Sequence, residues 1–204
     1  RRPRVNKVSY PDLLFYVPKL LSMLFYVNRR DAEQIHIFLG YLEETYPLAL
    51  PKEFIAKLEH SLKRAVKYWF PYRWIFVSFA RIKKLKAVIL EDASYGGSEY
   101  AIIVKHLRDA GVVVAEMQHG LVATNHPAYN YPEVVCNRTV EYADYLPEFY
   151  ITFGEYWNRQ TRLPGKLRVL GFPYLQEKAA RRSGNYGFVL VISYGTQSWL
   201  NIMI

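Results

Sequence analysis

Three features of the sequence predict an α/β fold built on an open parallel sheet. Short apolar runs of strand length recur from Leu85 onward, amphipathic segments of helix length separate them, and several runs stop abruptly at glycine, proline or histidine. Strands joined by helical crossovers run parallel, and in open sheets of this kind ligands bind at the carboxyl ends of the strands. The pattern is Rossmann-like, preceded by a helical region.

Residues 1–84 read as helical and basic. The most apolar stretch, Leu13 to Val27, is broken by Pro18 and Lys19 and falls short of the roughly 20 uninterrupted apolar residues of a membrane span. Asp31 is the expected N-cap of a helix carrying Ile35, Phe38, Leu39 and Leu42 at helical spacing. Pro51 suits the first turn of the next, in which Phe54, Ile55, Leu58 and Leu62 form a stripe opposite Lys52, Lys57, Lys63 and Lys67.

The grammar then changes. Ala87–Leu90 is predicted as a buried strand, Ser98–Ala110 as a helix closed by Gly111, and Val112–Met117 as the next strand, which together make a βαβ unit. Tyr150–Phe153, Glu155–Gln160 and Leu167–Leu170 continue it as strand, helix and strand. The intervening Tyr- and Pro-rich residues 121–148 lack periodicity, and connections of that length tend to be functional, so they are expected to shape a pocket. Residues 85–177 thus form the expected sheet domain and the polar, basic 178–187 a linker. Residues 188–204 begin a second domain with the strand Phe188–Ser193. A strand and a turn cannot bury their own apolar face, so the natural protein is expected to continue.

About half of the 204 residues are apolar, enough for a packed core. Cys136 is the sole cysteine, which excludes an intrachain disulfide and fits a reducing compartment such as the cytoplasm. The net charge of +9 favours an acidic partner. No nucleic-acid module signature is present, so nucleic acid is not expected as that partner. In the segment from Tyr68 to Trp74, aromatic residues interleave with Arg73. The segment reads either as an ordinary helix with aromatic core contacts or as a peripheral contact with an anionic membrane, on the inner face of the plasma membrane.

Gln118-His119-Gly120 follows the Val112–Met117 strand and sets an imidazole at its carboxyl end. An imidazole, ordinarily titrating near pH 6.5, can accept a proton at neutral pH. His119 is therefore the candidate base, the other reading being a strand cap bonded to its own loop. Glu91 and Asp92 follow the first strand and reach the same edge, as proton acceptors, hydroxyl ligands or, for Asp92, a helix cap. Ser94, Gly96 and Gly97 precede the helix and are candidate anion donors through backbone N–H groups. His126 and Tyr129 lie in the long connection and are candidate substrate contacts, His126 equally a packing residue. Gly-x-Gly-x-x-Gly and P-loop patterns are absent, and no ligand spacing points to a metal.

The runs Glu116-Met117-Gln118-His119-Gly120, His126-Pro127-Ala128-Tyr129-Asn130-Tyr131-Pro132, Leu146 to Trp157 and Val169-Leu170-Gly171-Phe172-Pro173-Tyr174 resemble bacterial glycosyltransferases of the GT-B type. The nearest group is the capsule polysaccharide and CDP-glycerol glycerophosphotransferase-like enzymes, over roughly residues 85–195. The resemblance implies two Rossmann-like domains facing a cleft, a nucleotide-activated sugar as donor, a glycan or lipid-linked acceptor held mainly by the first domain, and no bound metal or other cofactor. It aligns His119 and Gly120 with the family's His-Gly motif and Gly171 and Pro173 with a Gly-x-Pro hinge. Gln118 and Gly120 then flank the acceptor, and Ser193, Gly195 and Thr196, which end the second domain's first strand, fall on the donor side. Gln118 stands where the glycerophosphotransferases carry tryptophan, and Leu121-Val122-Ala123 replaces their Thr-Pro-Leu-Lys, which favours sugar transfer over glycerol phosphate transfer. A non-catalytic module that binds glycan or lipid headgroup is the reading from outside the enzymes.

Overall fold

In the computed structural model, residues 11–46, 50–94, 97–120 and 122–171 are described. Helix α1 (Pro11–Leu21) leads through a 3₁₀ turn (Ser22–Leu24) to α2 (Arg29–Thr45) and the long α3 (Lys52–Ile82). Pro18 sits inside α1 without ending it, and α3 passes through the buried Pro71. The cap of α2 is Asn28: its Oδ1 accepts the Asp31 N–H and its Nδ2 donates to the Asp31 carboxylate, both at 2.8 Å. Asp31, expected as the cap, is instead the acidic first-turn residue that Asn28 holds, a placement the helix dipole also favours.

The sheet follows: β1 (Ala87–Leu90), α4 (Gly97–Asp109), β2 (Val113–Met117), α5 (Glu133–Cys136), a 3₁₀ turn (Glu141–Tyr145), β3 (Phe149–Thr152), α6 (Glu155–Asn158) and β4 (Lys166–Val169). All three pairings are parallel, in the order β1-β2-β3-β4. The fold is α/β with a four-stranded parallel sheet, as in Rossmann-like domains. Each of the four strands predicted before Gly171 lies within one residue of its expected place, and the connection 121–148 holds α5 and a 3₁₀ turn.

One face of the sheet carries the core. Val114, Glu116, Tyr150 and Thr152 are buried on it, and Ile102, Ile103, Val104 and Leu107 of α4 pack there with Tyr72, Phe76 and Ala80 of α3. The helical N-terminal region is thus a second layer over α4, within one unit that runs from Arg1 to Leu170. Among the described residues no helix packs over the opposite face at β1, and the expected full burial of the first strand fails: Ile89 is 62% exposed. A second unit, Gly171–Ile204, contains Pro173, Ser193, Gly195, Thr196, the linker and the expected second-domain strand, all outside the described residues.

Candidate functional site

Parallel register sets the site. Leu90 pairs with Glu116, so the residues just past β1 and those just past β2 emerge at the same sheet edge. Asp92 turns there in the left-handed region, at φ 58°, a conformation that Asp and Asn tolerate better than other side chains. Its Oδ1 lies 3.0 Å from Nε2 of His119. Both side chains remain partly accessible, at 43% and 38% exposure, so the pair is open to a ligand. Glu91, beside it, is exposed.

Behind the pair lies Glu116, a fully buried carboxylate that sequence reasoning passed over. Its Oε2 accepts the Ser94 N–H at 2.7 Å and its Oε1 accepts the Tyr129 hydroxyl at 2.8 Å. Burial pushes this carboxyl above its ordinary value, opposed by those hydrogen bonds and by His119. Tyr129 is pushed up as well, by burial first and then by Glu116, and so remains a hydroxyl donor. Its ring stacks on Tyr150 with centroids 5.1 Å apart, and stands 6.4 Å from the His119 ring. Glu116 thereby ties the turn that carries Asp92 to the loop that packs beside His119.

Several residues expected as ligand contacts make internal hydrogen bonds. Gln118 is 2% exposed: its amide donates to the Gly120 carbonyl at 2.8 Å, and its Oε1 accepts the Phe153 N–H at 3.0 Å. It fastens the loop after β2 to the loop after β3. Tyr129 is buried and committed to Glu116. Ser94 gives its N–H to Glu116 rather than to an anion, and its carbonyl accepts the Tyr131 hydroxyl at 3.0 Å. His126 accepts the Ala128 N–H on Nδ1 at 3.3 Å and packs 4.8 Å from Tyr129, which matches its packing role. Gly97 opens α4 at φ 73° and Gly171 turns at φ 80°, whereas Gly120 and Gly154 avoid the left-handed region. Gly96 lies outside the described residues.

A pocket of about 400 Å³ opens beside the site, between the start of α4 and the 121–148 connection, and is lined by Ser94, Gly97, Ala128, Tyr131, Tyr142 and Tyr145. His119 is not part of its wall. A larger cleft, of about 630 Å³, lies elsewhere, against α3. No group of three or more His, Cys, Asp or Glu side chains suited to a metal occurs among the described residues. No helix among them is long and apolar enough to cross a membrane. No family model matches the chain, and no curated protein or solved structure matches it. What the fold and the site define is an α/β domain with a His–Asp pair at the carboxyl edge of its parallel sheet.

Proposed function

We propose that this chain supplies the acceptor side of a GT-B type glycosyltransferase, which moves a sugar from a nucleotide-activated donor onto a growing bacterial surface polysaccharide of the capsule type. The observation that carries the reading is the 3.0 Å contact between Asp92 and His119 at the carboxyl edge of the sheet. A carboxylate bonded to one ring nitrogen fixes the tautomer and leaves the other nitrogen as the basic atom. With Nε2–H donated to Asp92, His119 presents the lone pair of Nδ1. The acceptor hydroxyl gives its proton to Nδ1 as its oxygen bonds to the anomeric carbon of the donor sugar. The bond from that carbon to the diphosphate breaks, and the nucleoside diphosphate leaves with the electron pair. The imidazolium is stabilised by the Asp92 carboxylate beside it.

The 400 Å³ pocket supports the reading from the acceptor side, since its tyrosine-rich wall offers apolar ring faces and hydroxyls of the kind that hold a sugar ring. In this reading the protein works at the cytoplasmic face of the membrane, and its donor-binding residues lie after Gly171. His119→Ala in the intact enzyme is expected to lower turnover by about 10²- to 10⁴-fold with acceptor binding retained. Unchanged turnover would remove the base role. Assays with a panel of nucleotide sugars and with CDP-glycerol separate sugar transfer from glycerol phosphate transfer, and binding of glycan without turnover of any donor would mark a non-catalytic module.

A further inference from the structure

The large cleft beside α3 has its own chemistry. One stripe of α3 provides Phe70, Arg73, Trp74 and Arg81, at positions i, i+3, i+4 and i+11, while the end of α1 and the residue after the 3₁₀ turn provide Leu21 and Phe25. The Phe25 and Phe70 rings stack at 6.3 Å, which brings the two elements side by side. On either side of Phe25 in the chain, and at Trp74 of the cleft wall, large apolar side chains project into solvent: Met23 is 78% exposed, Leu24 79%, Tyr26 83% and Trp74 63%. A monomer rarely leaves so many clustered apolar side chains in water without a use for them.

The charges of the cleft select the occupant. Asp109 is neutralised by Lys105 at 2.7 Å, and the buried His106, whose ring donates to the Trp69 carbonyl, is held below the usual imidazole range by desolvation. Arg73 and Arg81 are therefore the uncompensated groups, and neither forms an ion pair among the described residues. Protruding Leu and Met, flanking Trp and Tyr, and two free guanidinium groups are complementary to a bilayer interface whose headgroups are anionic.

We infer that this cleft and its apolar rim form a membrane-docking surface that takes anionic phospholipid, with headgroup phosphate on Arg73 and Arg81 and Met23, Leu24 and Trp74 at acyl-chain depth. The surface shares no residue with the His119 site, so the inference stands apart from the transfer reaction. The cleft sits against the last turn of α4, whereas His119 is at the edge where α4 begins, and 13 helical residues separate those ends by about 20 Å.

The test is co-sedimentation of the 204-residue chain with vesicles of phosphatidylcholine alone or mixed with phosphatidylglycerol. Binding is expected only to the anionic vesicles. It should weaken about 30-fold in Arg73→Gln/Arg81→Gln and at least about 10-fold in Met23→Glu/Leu24→Glu. His119→Ala should bind like the parent, so failure of the transferase reading leaves this result intact. Far-UV circular dichroism checks that the variants keep their helices, and since all four positions of the two pairs are exposed, two independent pairs must agree. Equal binding to both vesicle types, unaltered binding by either pair, or a dimer in light scattering that Met23→Glu/Leu24→Glu dissolves would overturn the inference, the last by assigning the surface to a second copy.

Discussion

A carboxylate buried within a parallel sheet is costly, and Glu116 is tolerated because two donors reach it from opposite sides, Ser94 N–H and Tyr129 O–H. It touches no substrate in this account and acts as a positioning residue for Asp92 and His119. Burial raises its folded-state pKa above the ordinary carboxyl value, so the fold holds this proton more tightly than the unfolded chain does. The associated stabilisation is full below about pH 4.5 and declines as the pH rises through the folded value. His106 slopes the other way: its depressed value means that stability is lost as the pH falls below the ordinary imidazole range. Both proteins share that second slope, so chemical denaturation of the parent and of Glu116→Gln across pH 4–8 isolates the first. The parent should lose ground relative to the variant as the pH rises, and parallel profiles would show that Glu116 carries no such linkage. In catalysis the same variant should lower kcat more than it raises KM and should shift the pH–rate profile, which a purely structural defect would not do. The candidate base was legible in the sequence because His119 follows an apolar run, as Asp92 follows another. Glu116 was less so, although one carboxylate inside such a run signals partners, because those partners lie 22 and 13 residues away and only folding reveals them.

Among the elements, the strands were the most legible, since short apolar runs bounded by turn residues admit few other readings. Helix starts were less so: Asn28 and Asp31 are both good capping residues, and their reciprocal hydrogen bonds decide which one caps. The connection 121–148 gave no period because distant groups shape it. Arg108 of α4 donates to the carbonyls of Ala143 and Leu146 at 3.0 and 2.8 Å, and Asn130 pairs with Arg162. The start of β4 depends on a close backbone approach at Gly165, where an added Cβ would lie 2.6 Å from the Pro147 carbonyl oxygen and 3.1 Å from that of Glu148. Backbone cannot yield as a flexible side chain does. Gly165→Ala should therefore cost about 1–3 kcal/mol of stability in denaturant unfolding, with the loss centred on β4, and an unaffected midpoint would show that the chain relaxes there freely.

Among the described residues, helices layer one side of the sheet only. Parallel sheets are ordinarily covered on both faces, yet the face bearing Ile89 and Val113 stays open, with Lys166 and Arg168 placed over the Phe149 ring at 5.8 and 5.9 Å. The amphipathic helices account for the other side and also carry the aromatic and basic character noted in the sequence. Tyr72 of the segment from Tyr68 to Trp74 is wholly buried while Phe70 and Trp74 face solvent, so the core reading holds for one face of the helix, and the other is the face proposed above to meet a membrane. The function proposed for the molecule rests on Asp92 and His119 acting as one unit. The most direct measurement is a double-mutant cycle on kcat in the intact enzyme, using His119→Ala, Asp92→Asn and the pair together; Asn preserves the left-handed turn while removing the charge. If Asp92 and His119 do act as one unit, Asp92→Asn alone lowers kcat by at least about 10-fold and the double variant is no slower than His119→Ala. Asp92→Asn with parental kcat, or losses that simply multiply, would contradict it.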